Sequence, residues 1–431
     1  MNVEAGFMGA LALLLLLILR VPVAIALILV SFVGIASILG FGPAFGILQN
    51  TPYSFASSWT LSAVPMFLLM GFMAYRAGFT SGLFELAKVL LRWLPGGLAI
   101  STIAASGGFA ALSGSSIANS ATIGRMAVPE MVSGGYGRGF ACATVAAGGT
   151  LGALIPPSIL MIVFGIFAEV SVNSIFLGGI VVGVLSAFSY VVVILTTAFI
   201  RPDIVPRRAE PGESTIKLGV ALRNAWPAIA LAGCVLGGLF TGIFTPTEAG
   251  AVGSMMTFVV AGFLGRLTKE MAWFVLSETV LTTTAIFIVA VGATMFTRFL
   301  GITGLSSYLV LATAGLELTQ LTQILLIVAI YLVLGMFMEP FGALLITLPV
   351  FLPMIRAEGI DMVWFGVLVV KLLEIGMITP PIGLNVFVVK RVAGMEASLM
   401  RIFAAVVPFL VADAFVVACM IVAPGMVRIF G

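Results

Sequence analysis

Apolar stretches long enough to cross a bilayer recur along almost the whole of this chain. A hydrocarbon core about 30 Å thick takes roughly 20 apolar residues as a helix, and helices satisfy every backbone group internally where no water can. The fold class that follows is an all-α polytopic membrane protein. Composition agrees, since 61% of the residues are hydrophobic and only 9% are charged, too few to coat a soluble surface. No soluble domain is left over. The amino end carries Glu4 and no basic run ahead of Leu13, and no small-residue cleavage site follows, so the first span is expected to be retained. Cys142, Cys234 and Cys419 fall far apart in apolar stretches and are expected to pack as small hydrophobes. The count of zero histidines removes the usual metal ligand and the usual near-neutral proton relay, so a coupling ion must be held by oxygens.

A single ungapped shift of the sequence on itself organises the spans. The shift that carries Pro22 onto Pro246 also carries Pro129 onto Pro353, Gly135 onto Gly359, Gly152 onto Gly376, and the Pro156, Pro157 pair onto Pro380 and Pro381. Two structural repeats result, 1–200 and 225–431, joined by the polar segment 201–224 with Pro202, Pro206, Pro211, Arg207, Arg208, Glu210, Glu213 and Lys217. In the first repeat the pattern predicts scaffold spans near 7–20, 22–40 and 59–77 and an amphipathic arm at 80–93. A re-entrant hairpin over 98–131 follows, then a broken helix over 137–168 and a span over 173–199. The second repeat gives spans 226–243, 246–264 and 278–299, an arm at 302–316, a hairpin over 321–356, a broken helix over 362–392 and a span over 397–425.

An odd number of crossings in each repeat makes the second enter the membrane upside down. Charge tests this. With a cytoplasmic linker, every basic residue except Arg298, Arg356, Lys371 and Arg428 falls on the cytoplasmic side, and both termini fall outside. Inverted-topology repeats supply alternating access around one site near the midplane, which is the requirement of a carrier. A channel would more often build its pore from symmetry between subunits. An embedded enzyme is disfavoured by the absence of histidine, of a paired acidic motif and of a serine with a base, and no Walker pattern is present for ATP hydrolysis.

Three stretches carry candidate chemistry. In Ser113-Gly114-Ser115-Ser116-Ile117-Ala118-Asn119-Ser120-Ala121-Thr122, Gly114 permits a tight tip. Ser115 and Ser116 then cap the returning helix or bind a carboxylate or cation, unless the small residues serve only close packing. The run Gly148 to Ser158 and its counterpart Gly376 to Asn385 hold double prolines that free upstream carbonyls for a hard cation, with Thr379 and Asn385 adding oxygens in the second; the alternative is a plain kink. In the third, Glu339 beside Pro340 at the second tip is either an ion ligand or a helix cap. Lys371 and Glu374, at i, i+3 spacing, are expected to pair with each other, the alternative being a role in binding substrate.

The segment 112–131, the stretch Gly135-Tyr136-Gly137-Arg138-Gly139-Phe140, the run Gly148 to Pro157, Thr245-Pro246-Thr247-Glu248-Ala249-Gly250, and Ile378 to Asn385 together resemble the large membrane subunit of tripartite ATP-independent periplasmic (TRAP) transporters. The resemblance covers essentially the full chain. It implies sodium as coupling ion with no organic cofactor, and an elevator in which hairpins and broken helices move against the scaffold. It also implies a separate small four-helix membrane subunit, a periplasmic binding protein delivering a carboxylate substrate such as a dicarboxylate or sugar acid, and residence in the bacterial inner membrane in contact with lipid and not with nucleic acid. Matched residue by residue, one sodium site falls on Ser113, Gly114 and Ser116 with Gly148, Thr150 and Gly152. A second falls on Met338, Glu339 and Gly342 with Met377, Thr379 and Pro380. The substrate carboxylate is implied near Ser115, Ser116, Asn119 and Asn385.

Overall fold

The computed structural model describes residues 2–207, 216–315, 318–394 and 398–429, and among these no strand occurs. The first repeat opens with α1 (Val3–Ile18), α2 (Val23–Leu39), α3 (Phe41–Ala56) and α4 (Ala63–Arg76). The arm is α5 (Phe79–Leu91), and the hairpin is α6 (Gly97–Ser113) with α7 (Ser116–Ser133). The broken helix is α8 (Arg138–Thr150) with α9 (Ile159–Ala168), and α10 (Val172–Ile200) closes the repeat. The second repeat runs α11 (Leu218–Phe240), α12 (Pro246–Phe263), α13 (Lys269–Thr303) and the arm α14 (Leu305–Gly315). Its hairpin is α15 (Gln320–Phe337) with α16 (Pro340–Ala357), its broken helix α17 (Met362–Gly376) with α18 (Leu384–Ala393), and its last span α19 (Leu399–Val422). By length and composition six helices among the described residues can cross a membrane, or seven if α3 and the 60–76 segment, bent by 61° to each other, form one span.

Start signals account for several boundaries. Thr245 and Glu248 form a reciprocal capping box with Pro246 in the first turn of α12. Ser171, Thr268 and Asp361 cap α10, α13 and α17 through their side chains. Two expectations need correction, and one helix is additional to those expected. Segment 41–56 is helical although Pro43, Gln49, Asn50 and Pro52 interrupt its apolar pattern. The helix expected at 278–299 runs from Lys269 to Thr303, because Thr268 supplies a cap well upstream of the apolar run. The linker is shorter than 201–224, since α11 begins at Leu218; its Arg208, Glu210, Pro211 and Glu213 lie outside the described residues.

Helix directions establish the inversion. Gly292 of α13 lies against Ala24 and Leu27 of α2, and Phe299 lies against Gly34, so the two helices run parallel. Likewise Gly250 meets Met66, Gly253 meets Met70, and Arg266 beyond α12 donates to the Ala77 carbonyl at 2.7 Å, so α12 runs parallel to α4. Arg76 at the end of α4, however, stacks on Phe274 near the start of α13, 3.7 Å from the ring centroid, and the two helices then pack along each other. They are antiparallel. Since the shift matches α2 with α12 and α4 with α13, each counterpart points the opposite way, as inverted repeats require.

Of the four basic residues that the charge pattern left outside, three have partners. Lys371 is fully buried, Arg356 donates to the Ala168 carbonyl at 2.8 Å, and Arg428 pairs with Asp361.

Candidate functional site

The first tip forms where α6 ends. Gly114 takes φ +60°, a conformation in which a β-carbon is strained, and Ser115 is extended with its hydroxyl accepting from the Ala118 amide at 3.4 Å. This turn sits directly on the unwound loop between α8 and α9. A β-carbon on Gly114 would lie 2.5 Å from the Pro157 carbonyl oxygen, and one on Gly152 would lie 2.7 Å from that of Ser115. The structure thus brings Ser113, Gly114 and Ser116 together with Gly152, as the sequence motifs suggest.

Behind the tip lies a buried polar interior. The Ser116 hydroxyl donates to Glu374 Oε1 at 2.6 Å, tying the first hairpin to the second broken helix. Asn119 donates from Nδ2 to the Ser106 carbonyl at 3.0 Å. A β-carbon on Gly149 would fall 1.8 Å from Ser120 Oγ and 3.4 Å from Asn385 Nδ2, so these three residues converge. Thr150 donates to the Ala147 carbonyl at 2.6 Å and lies 3.1 Å from the Tyr190 hydroxyl, which donates to Asp413 Oδ1 at 2.7 Å.

Lys371 does not pair with Glu374. Its ammonium donates to Asp413 Oδ1 at 2.6 Å and to Ser186 Oγ at 2.8 Å, all fully buried. The spacing on α17 is compatible with an i, i+3 pair, but the lysine is met by the Asp413 carboxylate of α19 and the Ser186 hydroxyl of α10, while Ser116 holds the equally buried Glu374.

Several buried oxygens here have no hydrogen-bond partner within the protein: the hydroxyls of Ser106, Ser113 and Ser120, and one oxygen each of Asn119, Glu374, Asp413 and Asn385. Asn385 Nδ2 is unpaired there as well; buried polar atoms are rarely left so, and a set dominated by oxygens suits a hard cation or ordered water.

The second tip is built differently. Met338 ends α15 in an extended conformation, and Glu339 caps α16, with Oε2 accepting from the Gly342 amide at 3.2 Å and Pro340 at the first helical position. The hairpin meets its unwound loop through Gly335, where a β-carbon on Gly376 would lie 2.3 Å from the Gly335 carbonyl carbon. Thr379 turns its hydroxyl back to the Ile375 carbonyl at 2.6 Å, and the Asn385 amide donates to the Met377 carbonyl at 3.0 Å.

Both tips open on one cavity of about 550 Å³, within the usual size of small-molecule sites. Ser113 and Ser115 line it from the first tip, Glu339 and Phe341 from the second, with Tyr75 of α4 and Ile286 of α13 opposite. Asn119, Ser116 and Asn385 are not among its walls; they belong to the interior behind the tip. Arg125 is, and it donates to the Tyr75 hydroxyl at 3.1 Å. The sequence marks Arg125 only as a sign of topology and Ser120 only as part of the hydroxyl-rich stretch, and it gives no sign of Ser106, Tyr190 and Asp413 beyond a polar side chain inside an apolar stretch.

A family described as "Tripartite ATP-independent periplasmic transporter, DctM component" matches residues 10–426. The chain belongs to this family. It is 36% identical over 385 residues to the C4-dicarboxylate TRAP transporter large permease protein DctM of Vibrio cholerae, covering 84% of this chain and 83% of that one. It is 33% identical to the sialic acid TRAP transporter large permease protein SiaM of the same organism, covering 81% and 83%. With the isethionate TRAP transporter permease protein DctMQ of Oleidesulfovibrio alaskensis it shares 33% identity over 79% of this chain and 53% of that one. The fold also resembles the crystal structure of the Alcanivorax borkumensis YdaH transporter, with a TM-score of 0.64 at 15% identity over 90% of this chain and 89% of that one. This DctM-family chain is therefore a multi-pass membrane permease subunit and not an enzyme.

Proposed function

We propose that the chain is the large subunit of a sodium-coupled importer of an organic acid, delivered by a periplasmic binding protein and carried by an elevator movement. The observation that carries the reading is the cavity bounded by both hairpin tips on one side and by α4 and α13 on the other. Each tip presses on the unwound loop of its own repeat, so a cation held by tip and loop carbonyls would fix the tip's position, and with it one wall of the cavity. Binding of ion and solute is then coupled through shared geometry. Hairpins and broken helices pack on one another, α7 on α8 and α18 and α15 on α17, while α2, α4, α12 and α13 interlock among themselves and meet the hairpins where α4 touches α6 and α13 touches α16. That division suits a mobile unit sliding against a fixed scaffold. The substrates named for the relatives are all organic acids, and the cavity offers Ser115 and Arg125 as donors. The small membrane subunit is expected against the scaffold of this inner-membrane chain.

The site is tested by Thr122→Cys, on the cavity wall, in a chain whose Cys142, Cys234 and Cys419 are replaced by alanine. Reaction with a bulky maleimide should lower uptake at least tenfold, and a binding protein loaded with transported acid should slow the labelling. Full uptake after complete labelling would remove the substrate from this cavity. Orientation is tested separately. Cysteine at Lys217 should be labelled only from the cytoplasm and cysteine at Ser171 only from outside; the opposite pattern would overturn the placement of linker and termini.

A further inference from the structure

Far from the tips, α8, α10 and α19 enclose a second and larger cavity of about 990 Å³. Its walls are apolar, with Val192 of α10 and Val407 and Val411 of α19 among them, while Arg138, Arg201 and Arg401 stand together at one end. The helices explain the arrangement. Helix α10 runs towards Arg201 and α19 runs away from Arg401, so the antiparallel pair brings both arginines to the same level, and α8 begins there with Arg138. The close approach of Gly139 to the Arg401 carbonyl, 2.9 Å from where a β-carbon would lie, holds these helix ends together.

Dimensions and charge together select an occupant. At 1.5 Å per residue the apolar wall from Arg401 to Val411 extends about 15 Å, and that from Arg201 back to Val192 about 13 Å. Half of a 30 Å hydrocarbon core is also about 15 Å, the depth of one leaflet. The groove is open sideways, since Val411 is 66% exposed and Ile200 72% exposed. None of the three arginines is in an ion pair among the described residues, and Asp203 on the turn after α10 is in none either. Three cations in no ion pair, with no acid among the residues that line the groove, favour a headgroup of net negative charge. All three lie at the end that the charge pattern of the sequence assigns to the cytoplasm, the leaflet rich in anionic lipid.

We propose that this groove holds one anionic phospholipid, its phosphodiester on Arg138, Arg201 and Arg401 and one acyl chain along the valine-lined wall of α10 and α19. The full chain, purified in detergent and stripped of lipid, is titrated with phosphatidylglycerol, phosphatidylcholine and inorganic phosphate and read by native mass spectrometry. One phosphatidylglycerol per chain should bind at least tenfold more tightly than phosphatidylcholine. The combined substitution Arg138→Gln, Arg201→Gln and Arg401→Gln should remove that preference, while Arg20→Gln, outside the groove, should leave it. Should the triple variant fold poorly, Val411→Trp decides the matter: it keeps every charge, fills the acyl path, and should lower phosphatidylglycerol binding at least tenfold. Equal binding of the two lipids, retention of the preference by the triple variant, or full binding to Val411→Trp would each overturn the proposal. Displacement of the lipid by inorganic phosphate at matched concentration would assign the arginines to a free anion instead.

Discussion

Lys371→Met should destabilise the folded chain by about 3–5 kcal/mol, because it leaves a carboxylate buried without its cation. The lysine side chain is fully enclosed on α17, and its ammonium donates to Asp413 on α19 and Ser186 on α10. Methionine fills nearly the same volume, so the loss is electrostatic and not a cavity. Asp413 would keep only the Tyr190 hydroxyl as donor. The intact pair need not be worth this much, since burying two ions offsets most of their attraction; the penalty comes from removing one partner. Lys371→Met combined with Asp413→Asn should therefore recover more than half of the loss, since the neutral amide still accepts from Tyr190. Denaturant unfolding in detergent measures both, and a single variant within 1 kcal/mol of the unsubstituted chain would show that the pair is not the buried contact described.

Gly376→Ala should reduce transport about a hundredfold while the chain still reaches the membrane. A β-carbon there would stand 2.3 Å from the Gly335 carbonyl carbon, and the atom it meets is backbone, not a flexible side chain. Relief requires the hairpin to move by roughly 1 Å, and a displacement of that size in a binding constellation is worth about 10²-fold. If the second tip and its loop share a cation, the half-saturating sodium concentration should rise more than tenfold as well. Gly42→Ala, with open space around it, is the control and should change neither. Unaltered sodium dependence in Gly376→Ala would mean that the contact of hairpin and loop does not shape an ion site.

Much of the fold was legible because membranes restrict the choices. Repeated prolines and glycines marked the breaks, and Gly114, Gly152 and Gly376 stand where the chain must turn or where two backbones nearly touch. Segment 41–56 was missed since two prolines and two amides hide its helical period, which packing restores. The true partner of Lys371 was illegible for another reason. Spacing on one helix reveals Glu374, but Asp413 and Tyr190 come from elements that only the tertiary fold brings near. The two tips were found by composition, yet their separate tasks were not: Ser115 and Glu339 face the cavity, while Ser116, Asn119 and Asn385 face the buried interior. Arg125 illustrates the same limit, since a basic residue near a helix end reads as a sign of orientation whether or not it also lines a pocket.

Uptake into proteoliposomes holding this chain and its small partner subunit, with the loaded binding protein outside, tests the central claim directly. Three gradients are compared: sodium inward, protons inward, and none. The account predicts that accumulation requires the sodium gradient, saturates with external sodium and disappears when the gradient is collapsed. Equal accumulation with protons alone, sodium being absent, would contradict it.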